Sequence, residues 1–147
     1  MNRIRKGAFL ATSPTPAEKK AAVLALTGNY PQGLVAEHAR RLDADYFNEF
    51  TVEEIRAHLD RIAALDPRDP FAADLEPMGP RGCVLTVLGG DLPGFFAALS
   101  GMLASHDFDI KSGKVFTYRP PETGEPVRAG ARDLIIDSLV LEHPEPD

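Results

Sequence analysis

The chain has 147 residues, 44% of them hydrophobic, which bounds it to one domain or one small domain with a helical prefix. Its formal net charge of −6 argues against sequence-independent nucleic-acid binding, which needs a basic surface. The single Cys83 excludes an intramolecular disulfide and any multi-cysteine metal site, and no apolar run approaches the roughly 20 residues of a membrane span.

Residues 1–16 read as a flexible arm or edge segment, closed by Ser13-Pro14-Thr15-Pro16. Phe9-Leu10-Ala11 is too short for a secretory signal, so the expected location is cytoplasmic. A helical prefix spans 17–66. Ala17 to Leu26 is Ala-rich and helix-prone, with Gly28 as a stop. A second helix runs from about Pro31 to Leu42, with Leu34, Val35, His38 and Leu42 on one face. The third has the clearest start signal in the chain: Thr51-x-x-Glu54 is a capping box, and Phe50 can staple onto Ile55. Ile55, Leu59 and Ile62 carry its stripe to about Leu65, where Asp66-Pro67-Arg68-Asp69-Pro70 ends it. Residues 67–80 read as a Pro-rich connector draped over a surface.

From 81 onward the pattern changes. Val84, Leu85, Val87 and Leu88 form a short apolar run, as in a strand buried on both faces, with Cys83 as a small buried hydrophobe. Gly89, Gly90, Asp91, Pro93 and Gly94 break it. Asp91 suits a helix N-cap, and Pro93 suits a first turn. Phe95, Phe96, Leu99, Met102 and Leu103 then fall on one helix face, and the pattern stops at His106-Asp107. Ile110 to Tyr118 reads extended, residues 119–130 read as a loop, and Asp133 to Leu141 as a third strand. The sum is an α+β chain: helices, then strand, turn, helix, strand, strand.

At these residues the chain resembles the ACT domain, a small regulatory module with a ferredoxin-like βαββαβ fold. The family's Asp-x-Pro-Gly-hydrophobic turn is matched by Asp91-Leu92-Pro93-Gly94-Phe95-Phe96. Its next strand, Asn-Ile-x-x-Ala-x-hydrophobic-x-Thr, is matched by Asp109 to Thr117, with Asp109 in place of Asn and Gly113 in place of Ala. Asp137-Ser138-Leu139-Val140-Leu141 fits its Asp-x-hydrophobic-x-hydrophobic strand. The segment Arg41 to Phe47, followed by Thr51 to Ile55 and His58-Leu59, resembles the stretch before ACT domains in bacterial PII-uridylyltransferase-type nitrogen sensors. Asp43 stands where those proteins tend to carry Pro.

The resemblance implies a non-catalytic regulatory role and a site for an amino acid or similar effector at the turn. Gly94 lets a ligand approach the backbone, and free N–H groups at a helix N-terminus attract a carboxylate. The implied ligand-binding residues are Asp91, Leu92, Pro93, Gly94 and Phe95, joined by Asp109 and Ile110 from the facing strand. The alternative is a dimerisation or docking module in which Asp91 to Gly94 is only a well-capped turn. An enzyme with an unrecognised site is the third class. No catalytic arrangement, metal site or cofactor is indicated, and His38 and His58 read as helix-surface or interface histidines.

The sequence ends with this fold lacking its last helix and strand. In strand order 4-1-3-2 the loss leaves strand one as an edge and half of one sheet face bare. Three explanations stay open: the chain is part of a longer protein, the N-terminal helices cover the bare face, or a symmetric partner completes the sheet. The last two imply a homodimer or an edge-to-edge assembly.

Overall fold

The computed structural model describes residues 13–125 and 133–144. Of the arm expected over residues 1–16, residues 1–12 lie outside them, as do part of the loop to 130 and the last three residues. The element order is four helices, two strands, a helix and two strands.

Helix α1, Pro16–Leu24, starts earlier than expected because Thr15 caps it. Thr15 accepts from the Glu18 N–H while Glu18 returns a bond to the Thr15 N–H, and Pro16 occupies the first turn. Helix α2 is Leu34–Arg41, and a short α3, Ala44–Glu49, follows with Asp43 as its cap. The sequence pattern does not set α3 apart from its neighbours. Helix α4, Val52–Ala64, begins with the expected reciprocal Thr51–Glu54 bonds and buries Ile55, Leu59 and Ile62.

The largest departure lies between 67 and 80. Asp66 Oδ1 accepts from the N–H groups of Arg68 and Asp69, closing a tight turn. Strand β1, Phe71–Met78, follows, in place of a draped connector. It pairs antiparallel with β2, Gly82–Gly90, over its own whole length, from Phe71↔Gly89 to Met78↔Gly82. Backbone pairing overrides a sequence whose propensity for strand is weak.

After β2 come helix α5, Phe95–Ser105, strand β3, Asp109–Thr117, and strand β4, Leu134–Glu142. The four strands form one antiparallel sheet in the order β1-β2-β4-β3. The expectation that the first strand of the apolar stretch would be a bare edge is therefore corrected: β1 lies along it. The edges are β1 and β3.

Side chains alternate across a strand, so the register sorts the sheet into two faces. Leu88, Phe116, Leu134 and Ile136 point to one and join residues from α1 to α4 in one core. Cys83, Val87, Leu139 and Leu141 point to the other and meet Leu99 and Leu103 of α5. The N-terminal helices thus cover the face opposite α5. They do not sit beside it in place of a missing helix, as one of the sequence-based explanations had it.

Candidate functional site

The β2–α5 turn is built on two glycines with different jobs. Gly94 has φ +77°, a left-handed conformation that starts α5 with no side-chain cap, so Asp91 is not the cap expected of it. Gly89 lies directly under the Phe71 ring, which leaves no room for a Cβ. Phe71 in turn stacks on Phe95, with centroids 4.5 Å apart and planes 6° from parallel. The unexpected strand β1 therefore anchors the start of α5. The Asp91 N–H donates to the Asp133 carbonyl at 3.0 Å, fixing the other side of the turn.

Asp91, Leu92, Pro93 and Gly94 are exposed and Phe95 is half-buried. Asp109 and Ile110 do not join them within one chain. Gly90 pairs with Leu134 and Asp109 with Glu142, at opposite ends of β4. Eight residues of strand separate those ends by roughly 25 Å.

The buried acid that feels the charge of Asp91 is Asp137. It lies on the α5 face of the sheet, between Val87 and Val115 on the neighbouring strands. It is 1% exposed, and its Oδ1 is the one fully buried side-chain N or O atom among the described residues without a hydrogen-bond partner. Burial, and after it the charge of Asp91, push its carboxyl up to about 6. A carboxylate so placed favours a donor or a cation beside it. In the sequence Asp137 is legible only as a strand position, because nothing local marks an orphaned acceptor.

The face covered by α1–α4 is built differently, and it corrects the surface assignment of the two histidines. His38 and His58 are both buried, on α2 and α4. Tyr118 Oη lies 2.7 Å from His38 Nδ1, His38 Nε2 2.8 Å from Tyr46 Oη, and Tyr46 Oη 2.7 Å from His58 Nδ1. Burial, helped by His58, pulls His38 down to about 3; burial pulls His58 down to about 4 against the opposing charge of Asp74. Both rings are neutral at physiological pH.

Beside this chain, the buried Arg41 guanidinium pairs with Glu37 at 3.2 Å and with Asp133 at 2.5 Å, and lies over the Tyr118 ring. Its Nε donates to the Arg119 carbonyl, and the Arg119 N–H donates to the Arg41 carbonyl, closing the C-terminus of α2. Through Asp133 the same Arg41 reaches the residue that holds the β2–α5 turn.

Helix α5 itself carries no charged side chain. Its apolar face is wider than the sheet covers: Leu99 and Leu103 are buried, but Phe96 is 46% and Met102 51% exposed. Gly101 sits mid-helix with nothing among the described residues near its missing Cβ, so no contact with them requires a glycine there. Comparison with protein-family models and with curated protein sequences finds no match. Among the described residues no helix is long and apolar enough to cross a membrane, and no three His, Cys, Asp or Glu side chains are grouped to hold a metal.

Proposed function

We propose that this chain is a non-catalytic, cytoplasmic regulatory module of the ACT type, which binds an amino acid or similar small effector at the β2–α5 turn. The observation that carries the reading is Asp137, an orphaned buried carboxylate on the α5 face within reach of the Asp91 charge. An ammonium group between Asp91 and Asp137 would satisfy both. The effector's carboxylate would meet the N-terminal N–H groups of α5, which no side chain caps. The strand order β2-β4-β3 with α5 between β2 and β3 supports the ACT-type reading, as does the Asp91 to Phe95 turn. A link to nitrogen sensing rests on the sequence resemblance of the helical prefix.

The test is a thermal-shift screen against the twenty amino acids, by mass-action linkage. One amino acid should raise the transition, and Asp137→Asn and Asp91→Ala should each abolish that rise. A flat response to all twenty in the folded wild-type chain would refute effector binding.

A second reading is favoured by a different observation. The uncharged outer face of α5, with exposed Phe96 and Met102 around Gly101, is the make-up of a helix that packs against another chain. In that reading α5 is the contact of a homodimer, and α5 takes the place of the sheet edge as the expected point of assembly. Sedimentation across a hundredfold range of protein concentration tests it; a single monomeric species throughout would reject it.

A further inference from the structure

On the face away from α5, a cavity of about 480 Å³ opens between α4 and the β1–β2 hairpin. Its volume falls in the range of small-molecule sites. Phe50 and His58 contribute to its wall, edge to face with ring centroids 4.7 Å apart. Carboxylates line it from two sides, Glu53, Glu54 and Asp60 on α4 against Asp74 and Glu76 on β1, with Arg61 the one cation among the described lining residues.

Most of these acids are already engaged. Glu54 caps α4, Asp60 accepts from the Tyr30 hydroxyl, and Asp74 pairs with Arg61. Glu53 on α4 and Glu76 on β1 both line the cavity and have no ion-pair partner among the described residues.

The second observation is His58 itself. It is only 5% exposed, and its Nδ1 is taken by Tyr46, while Nε2 makes no hydrogen bond to the described residues. Among the described residues Asp137 Oδ1 is the one fully buried side-chain N or O atom lacking a partner, so His58 Nε2 is not fully buried, and the cavity is where His58 lines open space. A nearly buried imidazole thus offers one unpartnered nitrogen to a site rimmed with negative charge.

We propose that this cavity binds a small aliphatic amine, its ammonium group donating to His58 Nε2 against the Phe50 ring and drawn in by Glu53 and Glu76. An aromatic wall with surrounding carboxylates suits an alkylammonium group. The buried chain supplies the acceptor form of His58 without breaking a bond. His58 Nδ1–H donates to Tyr46, Tyr46 donates to His38 Nε2, and His38 Nδ1–H donates to Tyr118. Opposed carboxylates on the two walls favour a diamine over a monoamine.

The experiment is calorimetric titration of the full chain at pH 7.5 and low salt with 1,4-diaminobutane, butylamine and a lysine-containing peptide, alongside ¹⁵N imidazole spectra. Saturable diamine binding is expected, tighter than that of butylamine, with a shift confined to the His58 nitrogens and those coupled to it. The double variant Glu53→Gln/Glu76→Gln, both on exposed side chains, should weaken it by about tenfold. Asp137→Asn should leave it unchanged, which separates this site from the effector site at the turn. Absence of saturable amine binding, binding unaffected by the double variant, unmoved His58 nitrogens, or binding of the peptide alone would each overturn the proposal.

Discussion

The two faces of the sheet solve the same problem in opposite ways. Under α1–α4, polar groups are taken inside and paired: two neutral histidines bridge three elements through tyrosine hydroxyls, and a buried arginine has two carboxylates. Under α5 the contact is a thin apolar one, a buried carboxylate oxygen has no partner among the described residues, and two large apolar side chains face outward. The first arrangement is that of a scaffold, where an unpaired buried group would be costly. The second leaves apolar surface and a buried acceptor open, which is what the proposed effector or partner contact rests on.

Breaking the paired face should cost most. Arg41→Met removes the cation from the buried Glu37 and should destabilise the fold by about 3–5 kcal/mol in urea titrations. Tyr46→Phe removes the hydroxyl that partners both histidines, for about 2–4 kcal/mol, since each orphaned ring nitrogen costs on the order of 1–3 kcal/mol.

Acid sharpens the contrast. His38 and His58 have folded values of about 3 and about 4, below their ordinary 6.5, so the unfolded chain binds more protons across that interval. Their contribution is complete above pH 6.5 and is lost as pH falls through the folded values. Asp137 has the opposite sign: its carboxyl is raised from 3.8 to about 6, so the fold holds the extra proton and loses stability as pH rises through 6. Between about pH 4 and 6 the two trends oppose. Asp137→Asn should therefore be more stable than the wild type at pH 7, by about 1–2 kcal/mol, and should fall more steeply as pH drops toward 4. Equal slopes for the two proteins in pH-dependent melts would remove Asp137 from the account.

The smallest effect on stability belongs to the outer face of α5. Met102→Lys should change the stability of the monomer by no more than about 0.5 kcal/mol, because its side chain already faces solvent. If α5 mediates assembly, the same change should abolish it in sedimentation runs.

What was legible in the sequence was local. Thr51 and Glu54 cap α4 from three residues apart, and the break at Gly89 to Gly94 followed by a 3.6-residue period marks α5. Strand β1 was not legible: Phe71 to Met78 contains Asp, Glu and Pro, and it is a strand because β2 offers it an edge along its whole length. The His–Tyr chain was equally hidden, because Tyr118 and His38 are 80 residues apart in sequence. The period of the α5 stripe is legible in the sequence but its burial is not, since its apolar face is wider than the sheet covers. Of the candidate site, the Asp91 to Phe95 turn is one place, Asp109 and Ile110 belong to the far end of the sheet, and Asp137 is the residue that sequence alone did not nominate.

The most direct test of the central claim is a ¹³C titration of the Asp137 carboxyl from pH 3 to 8, with and without a mixture of the twenty amino acids. The account predicts a midpoint well above the ordinary aspartate value in the free protein, and a fall when the mixture is added, as an ammonium group takes up the orphaned oxygen. An ordinary midpoint that no amino acid moves would contradict it, and would leave the α5 face as a surface for assembly alone.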